Sequence, residues 1–378
     1  MGSPKLKSPA KWIDTAGSLD NLIKDLKHET VIAVDTESDS LYSYFEKVCL
    51  IQFSTTDADY LLDPLNVDIS SLAAFFANRS IQKIFHAAEY DFLSLKRDYG
   101  FSFANLFDTM LAARILGWAR FGLASLLKEH FGVNLDKRFQ RYNWGRRPLS
   151  EEALNYAHLD THFLIALRDI QLKELEQENR LREATEAFGR VTQVEPTPKV
   201  FNPDDFWRIK SCKDLTPPQQ AIVKELFIFR DRLARKLDRP PFKVMNDSVL
   251  VELAKSPPSG HADLFQTKGL GNKVVAYNGE GILKAIEEGQ AAPPPQQPPN
   301  NHRPDDNILA RYEVLRQWRN NLAAERGVEP DVIISNQALM DIARRNPHNL
   351  RTLTKMDVLG EWQRETYGQA LLEVLGTS

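Results

Sequence analysis

Cysteine is scarce in this sequence, with only Cys49 and Cys212 among 378 residues. The two lie far apart without metal-ligand spacing, which excludes a disulfide framework and a cysteine zinc site. No uninterrupted apolar stretch approaches the roughly 20 residues that cross a bilayer. The N-terminal MGSPKLKSPA also lacks the apolar segment of a signal peptide. We therefore expect a cytoplasmic protein that does not associate with membranes.

A strong net charge is also missing. The formal charge is only -3, so a nucleic-acid partner has to be argued from local patches and not from bulk charge. The chain contains no G-x-x-x-x-G-K-[ST] loop, which argues against a helicase. The 42% hydrophobic content predicts well-packed cores, and the length predicts two or three domains.

Two changes in composition divide the chain. Helical periodicity stops in VEPTPKVFNPDD at 194–205, and the tract APPPQQPPN at 292–300 predicts a semi-rigid linker. We therefore predict an α/β domain over 1–205, a helical domain over 206–290, a linker over 291–304 and a second helical domain over 305–378.

The two helical segments resemble each other. A displacement of 89 residues brings Arg230 onto Arg319 and Pro241 onto Pro330 without a gap. Apolar residues recur every three or four positions in both copies. This pattern predicts two small helical bundles that arose by duplication.

The N-terminal segment reads as α/β. A long helix is predicted over 149–179, and Ser150 is a plausible N-cap. The candidate strands are VIAVDTE (31–37), VCLIQFST (48–55), DYLLDP (59–64) and KIFHA (83–87).

Acidic residues stand where two of these strands end. Side chains alternate along a strand, so Asp35 and Glu37 share one face and Thr36 takes the other. Asp91 follows another strand, in the first turn of a helix. Tyr156 and Asp160 lie four residues apart and therefore on one helix face. Clustered carboxylates repel one another unless cations lie between them, and such ligands suit Mg²⁺ or Mn²⁺.

These motifs resemble those of the DEDD 3′-to-5′ exonucleases, in the subclass whose third motif contains Tyr. FHAAEYDFLSL, FDTMLAARILG (107–117) and WGRRPLSEEALNYAHLD (144–160) resemble the ribonuclease D group in particular, and the two helical repeats resemble its tandem HRDC domains. The resemblance implies a ribonuclease H-like fold, with a mixed sheet flanked by helices, followed by two all-α bundles.

The resemblance also implies a two-metal mechanism. Asp35 would bridge two divalent ions, Glu37 and Asp160 would complete one site, and Asp91 would hold the other ion directly or through water. Tyr156, too weak an acid to be the base, would orient the attacking water with Glu37. The expected substrate is RNA with a single-stranded 3′ end, such as a tRNA precursor, and the products are nucleoside 5′-monophosphates. A monomer is expected.

A basic segment with interleaved aromatics precedes the third motif. KRFQRYNWGRRP (137–148) contains basic side chains that can follow phosphates and rings that can stack on bases. The residues that we expect to contact substrate are Arg138, Arg141, Trp144, Arg146 and Arg147. Leu41 falls where the family places an apolar wedge, although core packing would explain it equally well.

Other candidates are interpreted as structural. His158 and His162 have the spacing of a zinc helix, but Leu159 stands where that motif needs Glu. A turn or capping role explains Asp63 and Asp108 as well as catalysis does.

Two alternatives to an exoribonuclease remain. A DNA exonuclease of the proofreading or repair type has the same acids, and nothing in those acids reads a 2′-hydroxyl. A non-catalytic nucleic-acid-binding module is disfavoured because all four acids and Tyr156 are present.

Overall fold

The structure is a computed structural model that describes residues 9–297 and 304–376. Within those residues the chain forms two units. The first contains residues 9–37, 48–196 and 304–376, and the second contains residues 38–47 and 197–297. The predicted linker at 291–304 lies partly outside the described residues, which end at 297 and resume at 304. Within the described ranges, no helix is long and apolar enough to span a membrane.

The first unit is built on one six-stranded sheet. The strands are β1 (Lys11–Ile13), β2 (Val31–Ser38), β3 (Val48–Ser54), β4 (Asp59–Leu62), β5 (Gln82–Phe85) and β6 (Leu106–Asp108). Their order in the sheet is β1-β4-β3-β2-β5-β6. β1 and β4, β2 and β5, and β5 and β6 pair in parallel, whereas β3 and β4 are antiparallel. The sheet is therefore mixed, as predicted.

Burial explains the central strands. Every residue of β3 is buried, and β2 is buried at Ile32, Ala33 and Val34 before it emerges at its carboxyl end. Such continuous apolar runs are typical of strands covered on both faces. The four predicted strands are confirmed, while β1 and β6, three residues each, were not predicted.

Helices cover this sheet, which confirms the predicted ribonuclease H-like fold class. The prediction of a single helix over 149–179 is wrong, because the structure has two helices in this segment. The first ends at Phe163, whose φ is -94° and ψ is -6°, and the second begins at the next residue. The helices are α1 (Ala16–Lys27), α2 (Ala73–Ala77), α3 (Glu89–Tyr99), α4 (Thr109–Leu116), α5 (Leu123–Phe131), α6 (Glu151–His162), α7 (Leu164–Gln177) and α8 (Leu181–Val191).

The second unit contains the first helical repeat. Its core gathers apolar side chains from all its helices, and Tyr44 of segment 38–47 joins that core. The Tyr44 hydroxyl donates a hydrogen bond to the Asp231 carboxylate at 2.8 Å. The backbone amide of Tyr44 donates one to the Asp238 carboxylate at 2.9 Å. The helices are α9 (Pro217–Lys236), α10 (Pro241–Val244), α11 (Asp247–Lys255), α12 (His261–Gln266) and α13 (Asn272–Ala291).

The second helical repeat belongs to the first unit and repeats the internal contacts of the first copy. Arg319 is buried and donates to the Ile334 carbonyl at 2.9 Å, as Arg230 does to that of Met245. These pairs are related by the 89-residue displacement, which supports the predicted duplication. The helices are α14 (Asp306–Arg326), α15 (Pro330–Ile333), α16 (Asn336–Arg345), α17 (Leu350–Lys355) and α18 (Glu361–Gly376).

Candidate active site

Three acids meet at the carboxyl end of β2. Ligand oxygens of Asp35, Glu37 and Asp160 lie within 4.8 Å of one another. With Tyr156, these residues line a cleft of about 470 Å³ in the first unit. Asp35 and Glu37 come from β2, whereas Tyr156 and Asp160 come from one face of α6. The structure therefore brings together two of the three predicted sequence motifs in a single group.

Asp91 joins this group through Thr36. The Thr36 hydroxyl donates a hydrogen bond to the Asp91 carboxylate. Strand alternation places Thr36 on the face opposite Asp35 and Glu37, and its bond to Asp91 explains how the second motif is tied to β2. Asp91 lies in the first turn of α3, where the helix dipole favours a carboxylate.

The turn before α3 is held by a buried acid. Ala87 has a φ of +65°, a left-handed conformation that strains a residue with a Cβ. Asp108 accepts from the amides of Ala87 and Ala88 at 3.1 and 2.8 Å, and it also caps α4 by accepting from Met110 and Leu111. The capping interpretation of Asp108 is thus supported, and its contact with the turn helps to position Asp91.

The electrostatics of the cluster are unfavourable without a cation. Burial, followed by repulsion from Asp91, Asp160 and Glu37, raises the pKa of Asp35 well above its usual range. Burial likewise raises the pKa of Glu37 and Asp160, and it raises the pKa of Asp91 to about 7. Asp160 Oδ1 is buried, and no atom of the described residues forms a hydrogen bond with it. A cation bound among these oxygens would reduce the repulsion between the carboxylates and would give Asp160 Oδ1 a partner.

Tyr156 is a fixed, protonated phenol. Burial, followed by the negative charges of Asp160 and Glu37, raises its pKa further above its ordinary value. Its ring packs against Phe139 and Trp144 at centroid distances of 5.5 and 6.3 Å. The hydroxyl can therefore orient a polar group at the cleft but cannot act as a base near neutral pH.

The basic segment is only partly available for substrate. Trp144 is 1% exposed in the core beneath Tyr156. Arg147 donates to both oxygens of Asp63 at 2.6 and 2.7 Å and also to the Cys49 carbonyl. Neither side chain is presented to a substrate, which corrects the expectation drawn from the sequence. The aromatic ring completes a core and the guanidinium neutralises a buried acid.

The other predicted contacts are exposed. Arg138 pairs with Asp136, and its side chain is 87% exposed. Arg141 and Arg146 are also exposed. Leu41 is 39% exposed and lies in segment 38–47 of the second unit. Substrate contact by these four residues stays a prediction.

His86 and Gln140 line the cleft and were not singled out from the sequence, whereas Lys137, which also lines it, belongs to the predicted basic segment. Burial lowers the pKa of His86 to about 4, so the ring is neutral. Thr109 donates its hydroxyl to the Phe85 carbonyl at 3.1 Å, so its oxygen accepts from His86 Nδ1 at 2.9 Å, which leaves Nε2 as an acceptor. The position of His86 directly after β5, close to Asp91, was the available signal.

The histidines on the far face of α6 bind a carboxylate. His158 Nε2 and His162 Nδ1 contact Asp59 Oδ2 at 2.7 and 2.8 Å. These are direct hydrogen-bond lengths, and the contacts hold the pKa of Asp59 well below its usual range despite burial. The structure thus supports the interpretation that both histidines are structural.

Comparison with known proteins places these residues in a family. A model described as 3′-5′ exonuclease matches residues 10–176, and a model of the HRDC domain matches residues 219–286 and 308–375. Ribonuclease D from Bartonella henselae is 27% identical over 378 residues, covering 97% of this chain and 90% of that protein. The chain is a homologue of ribonuclease D.

Two further comparisons support this homology. The crystal structure of Escherichia coli RNase D, an exoribonuclease involved in structured RNA processing, superimposes with a TM-score of 0.67 at 25% identity. It covers 98% of this ribonuclease D homologue and 99% of the crystallised chain. The exosome complex exonuclease RRP6 of Saccharomyces cerevisiae is 34% identical over 282 residues, which are 70% of this chain but only 38% of that relative. The chain therefore spans well under half of this longer relative.

Proposed function

We propose that this protein is a metal-dependent 3′-to-5′ exoribonuclease that trims the 3′ ends of tRNA precursors and other small structured RNAs. The observation that carries the proposal is the convergence of Asp35, Glu37 and Asp160 with Tyr156 in one cleft. This cleft lies within the segment that matches the 3′-5′ exonuclease model. The homology to ribonuclease D supports RNA as the substrate class.

The residues of the cleft fit divalent cations. Asp35, Glu37 and Asp160 offer carboxylate oxygens, and Mg²⁺ and Mn²⁺ prefer such hard ligands while keeping several waters. Asp35, Glu37 and Asp160 would hold one ion, and Asp91 with Asp35 would hold a second. The buried Asp160 Oδ1, for which the described residues offer no partner, supports this assignment. When bound, two such ions supply an activated water and stabilise the charge on the departing oxygen.

The side chains of the protein then orient the reactants. The Tyr156 hydroxyl, kept protonated by its raised pKa, positions the attacking water together with Glu37. His86 is neutral and offers an acceptor at the cleft, and Lys137 lines the same cleft, where it would offer a cation to a substrate phosphate. Attack at the last phosphodiester releases a nucleoside 5′-monophosphate.

The domain roles and the setting complete the proposal. Residues 1–205 form the exonuclease domain, while 206–290 and 305–378 form HRDC-like domains joined by a linker at 291–304. We place the protein in the cytoplasm as a monomer.

A paired substrate assay tests the proposed function. A tRNA-like stem with a single-stranded 3′ extension is prepared as RNA and as DNA, labelled at the 5′ end, and incubated with Mg²⁺ or Mn²⁺. We expect stepwise shortening of the RNA from its 3′ end and release of 5′-monophosphates, and no shortening by Asp35→Asn. Faster shortening of the DNA would replace the proposal with a DNA exonuclease, and binding without shortening would indicate a non-catalytic module.

A further inference from the structure

A second cavity opens in the first unit, next to the cleft that holds the acids. It has a volume of about 1030 Å³ and takes its lining from α5, α7 and the loop that precedes α5. Ser125 lines both cavities, and the amino-terminal turn of α5 also contributes Leu123 and Ala124 to the cleft. The cleft and this cavity, called here the α5–α7 groove, therefore meet along one helix.

The α5–α7 groove has three exposed cations. Arg120, Lys128 and Lys173 line it, and among residues 9–297 and 304–376 none forms an ion pair with them. Glu129 and Glu174 line the groove as well, which leaves an excess of one positive charge. Surface cations without an acidic partner are available to a polyanion.

Flat and apolar groups accompany these charges. The Trp118 ring stacks on His130 with centroids 4.9 Å apart and an interplanar angle of 28°. Trp118 Nε1 donates to Glu174 at 3.0 Å, which fixes the ring and engages one of the two acids. Ile170 adds an exposed apolar side chain to the same wall. Aromatic faces bind bases of any sequence while cations follow the phosphates, which is the combination that single-stranded nucleic acid requires.

We propose that the α5–α7 groove binds the nucleotides of the RNA strand that lie upstream of the reacting 3′ end. This inference rests on the proposed function, since it assigns the path of the substrate away from the same site. The strand would leave the cleft over Ser125 and meet Lys128 three residues, ~4.5 Å, farther along α5. Lys128, Lys173 and Arg120 bind its phosphates, and Trp118 offers its face to a base.

The test compares RNA length. Single-stranded RNAs of three and twelve nucleotides, with a common 3′ sequence, are titrated against the full chain carrying Asp35→Asn, so that binding is measured without turnover. Adding Lys128→Gln and Lys173→Gln should raise the Kd of the long RNA about tenfold and reduce its salt dependence by about 1.4 in log–log slope, since two phosphate contacts are lost. The Kd of the short RNA should change less than twofold, because three nucleotides do not extend from the cleft across the groove.

A matched control removes the same charge elsewhere. Lys24→Gln with Lys27→Gln neutralises two exposed lysines of α1 that line neither cavity. This variant should bind both RNAs as the parent does. The groove proposal is overturned if the control weakens the long RNA as much as the groove variant does, or if the groove variant weakens both lengths equally. Failure of the wild-type protein to shorten RNA would count against the proposed function alone, since the binding comparison does not need turnover.

Discussion

Replacing Arg326 with methionine should destabilise the first unit strongly, because this arginine joins the second helical repeat to the exonuclease domain. It lies at the end of α14 and donates to both carboxylate oxygens of Glu183 on α8, at 3.1 and 2.6 Å. The side chains of Arg326 and Glu183 are only 18% and 6% exposed. Arg326 also bonds the Tyr367 hydroxyl of α18. Methionine keeps most of the apolar stem but leaves Glu183 buried without its partner.

The expected loss is about 3–5 kcal/mol at pH 8, which is the cost of leaving one member of a buried pair uncompensated. It should be smaller at acidic pH. Burial already raises the pKa of Glu183, and loss of Arg326 raises it further. A carboxyl whose folded pKa lies above its unfolded value loses stability as pH rises through the folded pKa. The penalty of the variant therefore grows from pH 5.5 to pH 8.

A second pair across the same contact provides the control. Arg182 and Glu365 approach to 2.6 Å, but their side chains are 59% and 53% exposed. Water and salt screen such a pair, so Arg182→Met should destabilise the protein far less than Arg326→Met does. Urea unfolding at pH 5.5 and at pH 8 measures the free energy of unfolding of both variants. The values are compared where the dependence of that free energy on urea concentration has the same slope. Equal losses for the two variants, or a loss for Arg326→Met that does not grow with pH, would refute the reasoning.

Four further predictions concern the cleft and the second repeat. Asp35→Asn should abolish exonuclease activity and raise the Tm of the metal-free protein, since it removes a buried charge that its neighbours repel; a lowered Tm would contradict this. Tyr156→Phe should lower kcat by about 10²-fold or more while changing the Kd for RNA less than twofold, because only an orienting hydroxyl is lost; equal losses in both would assign Tyr156 to binding. Because burial raises the pKa of Asp91 to about 7, the metal-free protein should lose Tm as pH rises from 6 to 8. The affinity for Mg²⁺ should rise over the same pH interval, and Mg²⁺ binding should release protons, which calorimetry in two buffers of different ionisation enthalpy measures. A Tm that does not depend on pH, together with binding that releases no protons, would argue against the carboxylate cluster. Deleting residues 291–378 should lower the Tm of the exonuclease domain as well as raise KM for structured RNA; an unchanged Tm would indicate that the repeat is only tethered.

Local patterns made much of the fold and of the site predictable. Alternation put Asp35 and Glu37 on one face, and helical spacing put Tyr156 and Asp160 on another. These relations span at most four residues, so no tertiary information is needed. Ser150 caps α6 as predicted, with its hydroxyl accepting from Ala153 at 3.2 Å.

Features set by distant partners were not predictable. Arg147 looked like a phosphate ligand because nothing nearby in the sequence shows that Asp63, 84 residues away, binds it. Trp144 looked like a stacking ring because its burial depends on Tyr156 and the end of the sheet. The break at Phe163 has no glycine or proline to mark it, so periodicity alone joined α6 to α7.

The contacts of the second repeat with the exonuclease domain also depend on distant partners and could not be predicted from the sequence. They explain why only one of the two similar repeats belongs to the first unit. Both copies keep the buried arginine that bonds a carbonyl 15 residues on. Shifted by 89 residues, however, the docking positions Arg326, Glu329 and Asp331 become Leu237, Pro240 and Phe242. Arg326 binds Glu183, while Glu329 and Asp331 both bind Arg114 of α4 at 2.7 Å. The shared core therefore accounts for the shared bundle. The charges present in only one copy account for the inclusion of that copy in the unit that contains the exonuclease sheet.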